Sequence, residues 1–420
     1  MNYSGVALRL REKIHEFSGK LSSHFSKPTG RFVEQMLYGI QTSGDVKLSE
    51  IARSLGEDIS LLKTETRLSR NLMEEDLEKR LLCEIAQMGS RRVHTDTLLL
   101  IDPTDVRKPY AKKMEYLATV RDGSAGELAK GYWMCQVVAC ENHSRHMIPL
   151  YQSLYSAEAE GFLSENDEIL KAVNLISTHA KGRGIWVMDR GGSRMNLIED
   201  FLTRHRRFIV RLRADFGLMF RGTQRKALDI AVGCPMLYSD VIVRETGEGE
   251  KPCTIQYGYR QVKVPGHTEQ LYVVVVHGFG EEPLILLTDR ELKRTRSSLW
   301  FVVGGYLTRW RIEESIRFIK QSYHLEDIRV QSYRRLKNLA ALVLCAAYFA
   351  AVYLGESLRL QVLTRRVLKA AKHFFGVPEF HYYALADGIA AILSRSSKGP
   401  FCGSPPKVPT DNQQWLFNTF

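Results

Sequence analysis

Residues 306–320 read YLTRWRIEESIRFIK, and their spacing decides how the rest of the chain is read. Tyr306, Arg309, Glu313 and Lys320 recur as Y-x2-R-x3-E-x6-K. At 100° per residue these four side chains fall within about 60° of arc on one helix face. The stretch predicts a single long helix over 297–324, with a phenol, an acid and two bases along one stripe. Two readings fit that stripe. One is a solvated charged face with i,i+4 pairs, Arg309–Glu313 and Glu313–Arg317. The other is a site in which the acid is a ligand and the bases meet an anion.

Upstream, two short apolar runs each end in an acid. Residues 98–101, LLLI, precede Asp102 and Pro103, and residues 184–188, GIWVM, precede Asp189. Both runs predict buried strands with a carboxylate at the carboxyl end, and Pro103 is expected to stop the first. Arg190, Gly191 and Gly192 follow the second. The glycines let a backbone or phosphate approach closely, and Ser193 is expected to cap the next helix, whose N-terminus favours anions. A turn acid capping a loop is the plainer account of each Asp. Asp105 rivals Asp102 by local chemistry.

Taken together, these residues resemble bacterial insertion-sequence transposases of the family-four type, which are defined by this Tyr-Arg-Glu-Lys pattern. The resemblance implies an RNase H-like catalytic core, an α/β fold, carrying the triad Asp102, Asp189 and Glu313. The family's Asp followed two residues later by Thr fits Asp102–Thr104 and not Asp105; its Asp-Arg-Gly fits Asp189–Arg190–Gly191. Three carboxylates without a cation repel one another, and hard oxygen ligands suit two Mg²⁺ or Mn²⁺ ions rather than zinc. By the same resemblance Arg309 and Lys320 contact phosphate near the scissile bond, and Tyr306 bonds a phosphate or supports Glu313. The implied activity is metal-dependent cleavage at the ends of a mobile element and strand transfer into target DNA. The implied partners are double-stranded terminal repeats and target DNA, with a dimer assembled on DNA. No P-loop is present, so ATP is not expected. A metal-dependent nuclease on the same core, and an inactive DNA-binding copy, are the alternatives.

The composition agrees with a polyanion partner. The net charge is +12 and the pI about 9.3, which fits nucleic acid better than a membrane. Seven cysteines are scattered without a C-x2-C pair, so buried thiols in a cytosolic protein are expected, not a zinc ribbon. His143 and His146 lack companions at ligand spacing. The N-terminus has no apolar core of signal length, which together with the resemblance gives a cytoplasmic, nucleoid-associated protein. Residues 339–355, LAALVLCAAYFAAVYLG, read as a buried core helix rather than a membrane span.

Periodicity divides the chain into five parts. Residues 1–90 are helical and include a helix, Gly turn, helix outline around Ser49, Gly56 and Asp58. Lys63, Arg67 and Arg70 on its second helix are candidates for DNA phosphate, against an ordinary helical hairpin with a wet basic face. Residues 91–215 alternate strands and helices as the first part of the core. Residues 216–284 are a β-rich insertion, and residues 285–335 complete the core with the Glu helix. Residues 336–420 form helices and a flexible tail. Some relatives hold such an insertion and cut through a DNA hairpin. Tyr257, Tyr259 and Arg260 are candidates to hold a distorted strand or flipped base there, against a merely stabilising β subdomain.

Overall fold

The computed structural model describes residues 3–121, 126–142, 144, 146–246, 249–355, 358–375, 381–396 and 399–400. The chain forms two units, one of residues 1–77, 321–330 and 345–420, the other of residues 78–320 and 331–344. In chain order, α1 (Tyr3–Leu21), α2 (Lys27–Ser43), α3 (Leu48–Leu55) and α4 (Leu61–Asn71) come first. Then follow α5 (Leu77–Ser90), β1 (Leu98–Arg107), β2 (Ala118–Arg121), β3 (Leu128–Cys140), β4 (Met147–Tyr155), α6 (Glu165–His179), β5 (Ile185–Met188), α7 (Met195–Thr203) and β6 (Arg207–Arg211). The β-rich segment holds β7 (Gly217–Phe220), β8 (Thr223–Lys226), α8 (Ala227–Val232), β9 (Tyr238–Thr246), β10 (Gly249–Val262) and β11 (Leu271–His277). After β12 (Leu284–Thr288) the chain is helical: α9 (Arg296–Thr308), α10 (Arg311–Ser322), α11 (Tyr333–Ala351), α12 (Leu358–Phe375) and α13 (His381–Ser394).

The sheet unit is built on one mixed sheet, ordered β2-β3-β1-β5-β6-β12-β11-β10-β9, with β4 also paired to β3. β1, β5 and β6 run parallel; the other pairings are antiparallel. β5 and the middle of β6 are buried apolar runs, as strands covered on both faces must be. β11 and β12 pair with each other, and β12 with β6. In the β-rich segment β9, β10 and β11 therefore extend the core sheet, while β7 and β8 pair as a separate antiparallel two-stranded sheet.

Two local expectations are corrected. β1 does not stop at Pro103 but pairs with β3 through Arg107. Its ladder to β5 has already ended at Leu100↔Val187, so Pro103 interrupts nothing on that side. The expected long helix over 297–324 is broken: α9 ends at Thr308 and α10 begins at Arg311. Bonds from Arg309 N to Tyr306 O and from Ile312 N to Arg309 O tighten the chain there.

In the helical unit, Ser26 accepts from Thr29 N and Pro28 sits in the first turn of α2. Gly56 (φ 60°) turns the chain after α3, where a glycine was expected. Lys47 rather than Ser49 heads α3, and Ser60 heads α4. The buried run of α11 is a core helix: Phe17 stacks on Tyr348 at 6.1 Å, and Gln41 Nε2 donates to Ala346 O at 2.7 Å. Among the described residues no helix is long and apolar enough to cross a membrane. Of the flexible tail, expected from Ser394 onward, residues 397–398 and 401–420 lie outside the described residues.

Candidate active site

Asp102 and Asp189 lie just past the point where the parallel β1–β5 ladder ends, the side of an α/β sheet where reactive groups usually sit. Asp102 lies on β1, two residues beyond the last β1–β5 pair. Asp189 directly follows β5, and its Oδ1 accepts from Gly191 N at 2.8 Å, closing a single 3₁₀ turn over Arg190–Gly192. The third acid comes from a helix. At Gly305 a Cβ would stand 3.2 Å from Ile209 and 3.4 Å from Leu98. A bare backbone thus lets α9 lie close on β6 and β1. The chain then turns at Arg309 and sets Glu313 in the first turn of α10.

Arg309 ties the acids together. Its Nη1 is 3.5 Å from Asp102 Oδ2, and its Nη2 donates to Glu313 Oε1 at 3.2 Å. The Arg309 side chain is only 8% exposed, whereas that of Glu313 is 55% exposed. Burial pushes the Asp102 carboxyl up to about 7; Arg309 opposes this, and the charges of Asp189 and Glu313 add to it. Burial alone would lower the Arg309 pKa, but Asp102, Tyr306, Asp189 and Glu313 outweigh it, and the guanidinium is held above its ordinary value.

The other two signature residues are less exposed than Glu313. Tyr306 is 1% exposed and belongs to the core beneath α9. Lys320 Nζ stands 3.8 Å from Asp105 Oδ2, so Asp105, the rival acid, pairs with the signature lysine and not with Arg309. Arg190 is exposed beside Asp189. Ser193 does not cap α7; its Oγ accepts from Arg213 N at 2.9 Å and ties the turn to the end of β6.

The donor set fits a hard divalent cation in its chemistry: carboxylate oxygens, one of them on a carboxyl raised by burial and, further, by the charges of its two neighbouring acids. The side chains do not close on a single point, and among the described residues no group of three or more His, Cys, Asp or Glu stands ready to hold a metal. The guanidinium lies between them. His143 is outside the described residues, and His146 is exposed on its own loop.

Within the helical unit, Lys63 and Arg70 are exposed on α4. Arg67, expected beside them, turns inward. Its Nη2 is 2.7 Å from both carboxylate oxygens of Glu57, and its Nη1 donates to Gln35 at 2.7 Å. That network satisfies a half-buried acid and leaves little of Arg67 for a ligand.

In the β-rich segment Tyr257 is fully buried and its hydroxyl donates to Asp240 at 2.6 Å, which removes it from the stacking candidates. Tyr259 and Arg260 line a cleft of about 980 Å³ with Arg221, Lys263 and His267. At its wall the Phe220 ring is flanked by Arg221, Arg225 and Arg260, at 5.2, 5.9 and 6.0 Å from its centroid. Sequence reasoning missed Arg221, Arg225 and Lys263, although Arg221-Gly222 between two short alternating runs is a hairpin signal.

Residues 94–349 match the family described as Transposase DDE domain. No curated protein matches the chain. Among solved structures, a piggyBac transposase synaptic complex with hairpin DNA, determined by cryo-EM, is similar at 13% identity. Its TM-score is 0.44, over 96% of this chain and 84% of that one, a likeness too slight to bear on any residue here.

Proposed function

We propose, from the premise that this chain belongs to the transposase DDE-domain family, that it is a metal-dependent DNA transposase of the insertion-sequence, family-four type. The observation that carries the reading is the meeting of Asp102 and Glu313 on one guanidinium, with Asp189 on the adjacent strand end. The strand order supports an RNase H-like core. Leaving β2 aside, the first five strands run 3-2-1-4-5 with the second antiparallel. The five-part division, with a DNA-binding region in residues 1–90, belongs to the same proposal, as does a cytoplasmic, nucleoid-associated location.

Asp102, Asp189 and Glu313 would hold Mg²⁺ or Mn²⁺. When bound, a pair of such ions supplies an activated water or 3′-hydroxyl and neutralises charge on the phosphate. The chain's own residues do the rest. Gly191 N fixes the Asp189 carboxylate, and β1 holds Asp102 where little water reaches it. Arg309 and Lys320 bring positive charge toward the scissile phosphate, and Arg190 meets the backbone beside it. Lys63 and Arg70 hold duplex flanking the cut, and the basic cleft around Phe220 takes more of the strand. Two ends must be cut and joined together, so the acting unit is a dimer on DNA with one subunit per end.

The test is a duplex carrying the repeats that flank the coding region, incubated with Mg²⁺ and a target plasmid. Cleavage followed by joining of the 3′ ends supports a transposase. Cleavage without joining makes the protein a nuclease. Binding without cleavage, equal in wild type and Glu313→Gln, leaves a DNA-binding protein with a dead core.

A further inference from the structure

Arg309 is in the wrong place for a residue that only awaits DNA. Its side chain is 8% exposed, it faces Asp102 and Glu313, and its Nε is buried without a partner. A guanidinium that served phosphate alone would point its fork outward, where a bidentate contact can form. Here one cation sits between two acids that would otherwise repel, with the charge of Asp189 adding to the field around it. An octahedral Mg²⁺ holds its oxygens about 2.0–2.1 Å from itself; here Asp102 and Glu313 instead meet a guanidinium, at 3.5 and 3.2 Å from its two terminal nitrogens. Arg309 lies at the junction of α9 and α10, and element-terminal residues are where hinges absorb φ/ψ changes.

We infer that Arg309 is a stand-in cation: its guanidinium occupies the space between Asp102 and Glu313 while no metal is bound, and a divalent ion expels it toward the DNA side. This rests on the carboxylate site proposed above. Arg309 is then a positioning residue with two partners in turn. The first is the acid pair, Asp102 on β1 and Glu313 on α10; the second is a phosphate, reached only after metal has entered. Metal and DNA binding become coupled, and the coupling is reciprocal: Mn²⁺ raises affinity for duplex, and duplex raises affinity for Mn²⁺. A plain structural arginine would do neither.

The experiment uses the full chain, with Mn²⁺ alone as the probe, free ion being read by electron paramagnetic resonance. Arg309→Met keeps the apolar stem and removes the charge, so Mn²⁺ should bind at least about tenfold tighter than in wild type, about 1.4 kcal/mol. The duplex-induced gain in Mn²⁺ affinity should vanish in the same variant. An unchanged or weaker Mn²⁺ affinity in folded Arg309→Met overturns the inference. Wild-type protein provides a second reading, independent of whether the variant folds. Phenylglyoxal should label Arg309 slowly in chelator and several-fold faster in saturating Mn²⁺; equal labelling overturns the inference. Asp102→Ala separates the two levels. If wild type binds Mn²⁺, Asp102→Ala does not, and Arg309→Met equals wild type, the carboxylate site stands and the stand-in falls. If wild type binds no Mn²⁺ with or without duplex, both fall.

Discussion

Replacing Asp102 by Asn should make the metal-free protein more stable while abolishing DNA cleavage. The side chain keeps its shape and loses its charge. Asp102 has its carboxyl raised to about 7 in the folded chain, against an ordinary value of 3.8. For an acid, a raised folded value means that the native state holds the proton more tightly than the unfolded chain. The group's contribution is therefore fully present below pH 3.8 and is lost as pH rises through 7. The loss amounts to about 1 kcal/mol by pH 4.5 and on the order of 4 kcal/mol by pH 8. Asn cannot ionise and escapes it. Urea unfolding in chelator should place Asp102→Asn above wild type by roughly these amounts at the two pH values. By the usual scaling this is a melting shift of about 10 °C at pH 8. Adding Mn²⁺ should raise wild type and leave the variant unmoved. A variant no more stable than wild type at pH 8, or a gap equal at both pH values, would refute the reasoning about burial and charge.

Asp189→Ala and Glu313→Gln should each abolish cleavage while duplex affinity in a gel shift stays near wild type; cleavage at the wild-type rate by either would remove that residue from the site. Arg67→Ala should lower the stability of the helical unit by about 1 kcal/mol, because Glu57 loses its ion pair and keeps only the neutral donors Gln35 and Thr64 from that network. Lys63→Ala and Arg70→Ala should leave the melting temperature alone and each reduce the salt dependence of DNA binding by about one charge. A flatter salt plot with unchanged melting for Arg67→Ala would return Arg67 to the DNA-facing set. Gly305→Val should cost about 1–3 kcal/mol by pushing α9 off Ile209 and Leu98. It should also impair cleavage more than DNA binding, since α9 sets the place of Glu313; unaltered melting and cleavage would show that the close approach is not needed.

Much of the site was legible because its signals are local. An apolar run ending in an acid reads the same in isolation as in the fold: it located Asp189 just past the end of β5, and it located Asp102 on β1, although β1 runs on to Arg107. The i,i+4 spacing of Arg309 and Glu313 was enough to expect their pairing, which holds at 3.2 Å across the helix junction. Gly56 was legible because only a left-handed turn explains glycine between two helices. What was illegible depends on partners distant in sequence. Arg309 meets Asp102 across 207 residues, and nothing near either residue announces it. Arg67 looked solvent-facing because helical periodicity says which side a residue is on, not whether an acid on another element waits there. Tyr306 and Tyr257 looked available because an aromatic ring in a polar stretch has no sequence mark for burial. Local composition determined the strands, the helices and the acids at their ends. Tertiary packing alone decided which charges those acids face, because burial and long-range pairing exist only once the sheet and α9 have closed on each other.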